Sequence, residues 1–187
     1  MASEEIQITM FVPPVSFEEM VRRLFNRSVP GNKWTPLMHS AIGVIGEVLE
    51  LKHCIDNKNL IEECGDVEFY LEAALQSITD LGFSLSRSLE PMGYDLQHAF
   101  SEMERGANEL LDISKKGWVY NKEIDLQHVE IFATGTRRAL SDLYKVLGID
   151  REDVLYRNME KLIGPKGRFR DGFYTDQAAQ DRADKVE

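Results

Sequence analysis

Glu47 and Glu50 stand three residues apart, and Glu63 and Asp66 repeat that step a short loop later. At ~100° per residue, an i, i+3 step on a helix sets two side chains about 60° apart on one side. Four carboxylates gathered in a helical core repel one another strongly unless a hard cation sits among them. Acid pairs at helical spacing are more often a solvated face than a site, so their neighbours must decide.

On a helical wheel of residues 42–55, Val44, Val48, Leu51 and Ile55 form one apolar stripe and Ile42, Ile45 and Leu49 a second. Glu47 and Glu50 fall in a band with Gly43, Gly46 and Cys54. A helix apolar on two sides is expected to be buried, with its acidic band facing inward. Each glycine costs a helix roughly 1 kcal/mol against Ala, which suggests that another backbone or a ligand comes close. In the next helix Glu63 and Asp66 share a face with Tyr70, Ala73, Ala74 and Ser77, beside a stripe of Leu60, Val67, Leu71 and Ile78. Glu68, Glu72 and Gln76 lie on the opposite side and are expected to be solvated.

The rest of the chain must position these acids. At 187 residues and 43% hydrophobic content it fits a single domain with a substantial core. No run approaches the ~18 apolar residues of a membrane span, and Met1-Ala2-Ser3-Glu4-Glu5 lacks a signal region, so a soluble, cytoplasmic protein is expected. Cys54 and Cys64 read as free thiols in a reducing compartment. A net charge of −10 argues against nucleic acid as the main partner.

Residues 1–16 read as an extended arm. Ser16 can cap a first helix with Glu19 at the third position, and Phe17, Met20, Val21, Leu24 and Phe25 supply its apolar face. Residues 27–36 read as a loop, Leu37 to Ile55 as helix two, Asp56-Asn57-Lys58-Asn59 as a turn, and Leu60 to Leu81 as helix three. A less regular stretch through Glu90-Pro91-Met92-Gly93 precedes a helix marked by Phe100, Met103, Ala107, Leu110 and Leu111, ending near Lys115-Lys116-Gly117. A further helix carries Val129, Phe132, Leu140, Leu143 and Leu147 and stops at Gly148, and Asp150 caps a last one with Val154, Leu155, Met159 and Leu162. Residues 163–187 read as a polar tail. No stretch alternates as a strand does, so an all-α helical bundle is expected.

Asn158 falls inside the apolar stripe of that last helix, with Lys161 at its edge. A buried Asn without partners costs ~1–3 kcal/mol, so it needs a specific hydrogen bond. Either it bonds a helix carbonyl, or it serves a metal or its water as a neutral ligand, with Lys161 meeting phosphate as a point charge.

The segment Leu37-Met38-His39-Ser40-Ala41-Ile42-Gly43-Val44-Ile45-Gly46-Glu47-Val48-Leu49-Glu50, followed by Glu63-Cys64-Gly65-Asp66-Val67-Glu68-Phe69-Tyr70-Leu71, resembles the MazG-like all-α nucleoside triphosphate pyrophosphohydrolases. Asn158-Met159-Glu160-Lys161-Leu162, Arg168-Phe169-Arg170-Asp171-Gly172-Phe173 and Ala178-Ala179-Gln180-Asp181-Arg182 are similar to the tail of phage and bacterial members. The resemblance implies a helical bundle assembled as a homo-oligomer, most simply a dimer. It implies an enzyme that splits nucleoside triphosphates into monophosphate and pyrophosphate with Mg²⁺, Mn²⁺ being a possible substitute. Glu47, Glu50, Glu63 and Asp66 would then be the catalytic metal ligands, and Tyr70, Asn158 and Lys161 would bind substrate. Oxygen-only donors suit Mg²⁺ or Mn²⁺, which can polarise a phosphate and lower the pKa of an attacking water.

Two departures from the family pattern stand out. Val48 and Leu49 replace the small residues usual between the first two glutamates, and about sixty residues, where compact members have a turn, separate the second acid pair from Asn158. Residues 98–162 look like a worn copy of the unit at 17–81: Glu109-Leu110-Leu111-Asp112 is similar to the first acid pair, while Phe132 and Gly135 fall where the second would be. This arrangement resembles the dimeric dUTPases, in which one chain holds two related halves and one working site. Two other readings stay open. The Glu50-Leu51-Lys52-His53 step, with Asp95-Leu96-Gln97-His98 and Asp125-Leu126-Gln127-His128, suits a ferritin-like di-iron protein, and the acids could equally serve a non-catalytic helical scaffold.

Overall fold

In a computed structural model, which describes residues 11–54, 57–86 and 90–181, the chain is all-α. Among the described residues there are seven helices and no strand: α1 Phe17–Leu24, α2 Thr35–Lys52, α3 Asn57–Thr79, α4 Leu96–Tyr120, α5 Leu126–Leu147, α6 Arg151–Ile163 and α7 Asp176–Asp181. No helix among them is long and apolar enough to cross a membrane.

Local chemistry sets most of the boundaries. Ser16 Oγ accepts from the Glu19 N–H at 3.2 Å, and Asp95, Asp125 and Asp150 cap α4, α5 and α6 in the same manner. Gly148 ends α5 in the left-handed region at φ 67°. Other boundaries differ from the sequence expectation. α2 begins at Thr35, because Pro36 is tolerated in a first turn whose N–H groups lack helical partners. α3 already begins at Asn57, inside the expected turn, and ends at Thr79; Ile55 and Asp56 lie outside the described residues. α4 runs through Gly117 to Tyr120, because that glycine lets the Trp34 ring in: a Cβ there would lie 2.8 Å from Trp34 Cγ.

Two clusters form the interior. α2 and α3 pack as one hairpin and α4 and α5 as another, and their apolar faces meet in the main core around Val44, Val48, Val67, Leu71, Met103, Leu110 and Leu140. A smaller cluster joins α1 and α6 through Met20, Leu24, Met159 and Leu162. The segment expected to be a polar tail belongs to it: Phe169 is buried there, Tyr174, Ala178 and Ala179 pack alongside, and residues 176–181 form α7. α2 is not buried on both sides. Its first stripe is in the core, but Ile42 and Leu49 of the second are 53% and 45% exposed.

The largest correction concerns the far side of α3. Glu68 and Glu72, expected in solvent, are 0% and 3% exposed, and Gln76 is buried beside them. Arg151 of α6 grips Glu68 through Nε at 2.7 Å and Nη2 at 3.0 Å. Arg137 of α5, itself buried, lies 3.0 Å from Glu68 and 3.3 Å from Glu72. Gln76 closes the network, donating to the Glu18 carbonyl at 2.8 Å and to Glu72 at 3.2 Å.

Candidate metal and phosphate site

Where α2 and α3 lie side by side, Glu47, Glu50 and Glu63 each bring a carboxylate oxygen to within 4.8 Å of the others. Among the described residues this is the one such gathering of at least three acidic, histidine or cysteine side chains. Glu47 and Glu63 are half-buried, while Glu50 faces water at the rim. Asp66, one turn beyond Glu63, is turned towards α6, where it accepts from Asn158 Nδ2 at 2.8 Å and from Lys161 Nζ at 2.5 Å. Lys161 also lies 3.1 Å from Glu62. The four expected acids are thus a triad with a fourth member anchored next to it.

Among the described residues no guanidinium pairs with the triad, and its electrostatics show it. Burial first, then the charges of Asp66, Glu50 and Glu63, push the Glu47 carboxyl up to about 8. The Glu63 carboxyl is also raised, chiefly by burial and Asp66, and the two glutamates share a hydrogen bond. At neutral pH one proton therefore sits between α2 and α3 where a cation would relieve the same repulsion. Burial alone would lower the Lys161 ammonium, but Asp66 and Glu62 together more than offset it and its pKa is raised, so Lys161 stays charged.

Two glycines make these contacts possible. A Cβ on Gly43 would lie 2.2 Å from Cδ1 of the Tyr70 ring, which packs flat against that stretch of α2. A Cβ on Gly65 would lie 2.8 Å from the Asn158 Cβ, so this glycine lets α6 come close enough for Asn158 to reach Asp66. Gly46, expected to face another group, has nothing within 4 Å of such a Cβ. Asn158 bonds a side chain rather than a helix carbonyl, and its Oδ1 remains buried without a hydrogen-bond partner.

Beside the acids opens a cavity of about 260 Å³. Glu47, Asp66 and Lys161 form one end together with Arg168 from the tail; Tyr70, Phe69, Phe25 and His39 form the aromatic remainder. Burial, then the charges of Glu47 and Asp66, push the Tyr70 phenol up to about 12, so it is a hydrogen-bond donor at neutral pH. His39 stacks on Phe25 at 4.6 Å, and its Nδ1 lies 3.3 Å from the Asn26 carbonyl, which marks Nδ1 as the protonated nitrogen. Burial lowers its pKa, so the ring is neutral.

Phe25, His39 and Arg168 were given no role from sequence. They come from a helix end, a first turn and an irregular tail, where no periodicity points at a common cavity. The two tryptophans lie outside the cavity: Trp34 is buried under Gly117, and Trp118 is exposed near the end of α4. The histidines of the di-iron reading do not join the acids either. His53 Nδ1 meets the Leu49 carbonyl at 2.6 Å, His98 stacks on Tyr94, and His128 lies 3.4 Å from Asp125. Comparison of the chain with models of known families, with curated proteins and with solved structures gives no match.

Proposed function

We propose that this chain is a Mg²⁺-dependent nucleoside triphosphate pyrophosphohydrolase of the MazG-like all-α type, cytoplasmic, acting on (deoxy)nucleoside triphosphates to release the monophosphate and pyrophosphate. The observation that carries this reading is the carboxylate triad, which pairs with no arginine among the described residues and reaches through Glu47 into a cavity lined by Lys161, Arg168 and aromatic rings. An all-oxygen donor set with one exposed member suits a hard divalent ion that keeps some of its water, and the unpartnered Asn158 Oδ1 adds a neutral oxygen beside it.

Glu47, Glu50 and Glu63 would hold the ion, and Asp66, fixed by Asn158 and Lys161, completes the set. When bound, the ion supplies charge to the phosphates and acidity to a water. Lys161 and Arg168 face the outgoing pyrophosphate, the first as a point charge and the second as a planar fork. Tyr70 and Phe25 offer flat walls to the base. Water attacks the α-phosphorus, the bond from that phosphorus to the bridging oxygen of the β-phosphate breaks, and a carboxylate takes the proton. The Glu47 carboxyl, raised to about 8 by burial and its neighbouring acids, is suited to accept that proton.

The exposed Ile42 and Leu49 beside Glu50 support assembly as a homodimer through α2. The decisive assay is product identity: pyrophosphate, with no orthophosphate, released in Mg²⁺ or Mn²⁺ and stopped by excess chelator. Orthophosphate as the product, or turnover indifferent to chelator, overturns the proposal.

A further inference from the structure

The α4–α5 hairpin holds a second cavity, also of about 260 Å³, and its lining is of the opposite kind. Two guanidiniums, Arg105 and Arg138, and one carboxylate, Glu102, face it together with the Tyr94 and Phe132 rings. Arg105 is paired with Glu102, its Nη2 2.5 Å from that carboxylate. Arg138 has no carboxylate partner among the described residues; its Nε donates to the Glu90 carbonyl at 2.9 Å, which holds the guanidinium in place. The cavity therefore carries a net positive charge in a chain whose formal charge is −10.

Its outer wall is a fastened piece of structure. The described parts of the connector from α3 to α4, residues 80–86 and 90–95, are tied down by three α5 side chains. Glu130 accepts from the Ser86 N–H at 2.5 Å, and Arg138 holds Glu90. Asp142, 1% exposed, accepts from the Met92 N–H at 3.0 Å and the Gly93 N–H at 2.8 Å. Burying a carboxylate to hold two loop amides is costly unless those amides need a fixed place. The place they take carries Met92 and Tyr94 against the cavity. Phe132 and Gly135 line its floor, the two positions where a copy of the second acid pair would stand. A Cβ on Gly135 would meet nothing within 4 Å, so this part of the floor is open space.

We propose that this cavity is a second ligand site, for a nucleoside monophosphate. Tyr94, stacked on His98 at 4.3 Å, and Phe132 give the lining aromatic surface for a base, and a singly substituted phosphate suits the Arg138 fork with one net positive charge around it, whereas a triphosphate would meet too little. The choice of a nucleotide rests on the function proposed above, which makes a nucleoside monophosphate the product. The site is then a place where product returns to the half of the chain that lacks the acid triad.

Calorimetric titration of the full chain with AMP, dCMP, dUMP and dGMP, in buffer with excess chelator, tests this apart from catalysis. Expected is saturable binding of at least one nucleotide, weakened about tenfold or more by Arg138→Gln and abolished by Gly135→Leu, which fills the floor and improves the helix. Glu63→Ala should leave it unchanged, and both cavity variants should keep the basal pyrophosphate release of the wild type. Absence of binding overturns the proposal. Binding that survives both cavity variants, or is lost in Glu63→Ala, places the nucleotide in the other cavity and overturns it as well. Binding of benzoate as tight as that of the nucleotides overturns the assignment to nucleotide. If the chain releases no pyrophosphate yet binds nucleotide through Arg138 and Gly135, the catalytic proposal falls and the second site stands.

Discussion

α3 carries two sets of acids that look alike on paper and live in opposite surroundings. Glu68 and Glu72 are the more deeply buried, yet Arg137 and Arg151 neutralise them and Gln76 takes a remaining oxygen. Glu63 faces Glu47 and Glu50 with no arginine paired to them among the described residues, and their mutual charge and burial raise the Glu47 carboxyl to about 8. Burial alone therefore does not mark a site. A buried carboxylate with its guanidinium is part of the frame, and a half-buried one among its own kind leaves room for a foreign cation.

The sharpest way to break that contrast is to remove one acid from each set. Glu63→Ala should lower Mg²⁺-dependent pyrophosphate release by about three orders of magnitude or more, while the melting temperature in chelator stays level or rises because repulsion is relieved. Glu68→Ala should do the reverse to the fold, costing about 3–5 kcal/mol in a denaturant titration, since Arg137 is left buried with half its partners gone. Equal stability losses in the two variants would erase the distinction.

A second test uses pH. The Glu47 carboxyl in the fold is raised to about 8, above its ordinary value near 4.5, so the folded state holds a proton that the unfolded chain gives up. The stability from this group is complete below about 4.5 and is lost as pH climbs through about 8. In chelator, thermal stability should fall across that window; saturating Mg²⁺ should flatten the fall, and Glu47→Gln should remove it. A metal-free protein that becomes more stable between pH 5 and 8 would contradict this assignment.

Smaller effects sharpen the picture. Gly43→Ala must displace the Tyr70 ring, for which about 1–3 kcal/mol is expected by thermal melting, with a raised KM for nucleotide. Joint replacement of Glu109 and Asp112 by Ala should change neither turnover nor metal dependence: Asp112 is exposed and paired with Lys115 and Lys116, and Glu109 faces solvent. A lost metal response in that variant would show a second working acid cluster.

What the sequence made legible follows from the range of each interaction. Helices, caps and the inward acids are local matters of spacing, and Ser16, Asp150, Gly148, Glu63 and Asp66 could be read from a few neighbours. The Glu68 network could not, because its arginines lie 83 and, for Glu72, 65 residues further along the chain. A wheel shows that Glu68 points away from Glu63; it does not show what stands there. The same limit hides the tail, where Phe169 and Tyr174 follow no period, and it overstates α2: of its second apolar stripe Ile45 packs against the core, while Ile42 and Leu49 stay exposed among the described residues.

The arginine network also says how far this chain can be cut. A fragment ending at Leu81 would contain all four acids of the proposed site. It would in fact carry Glu68 and Glu72 without Arg137 and Arg151, and Asp66 without Asn158 and Lys161. Whatever its ancestry, the first half is not a separable module: among the described residues these charges are balanced from α5 and α6, and the minimal folding unit runs through α6.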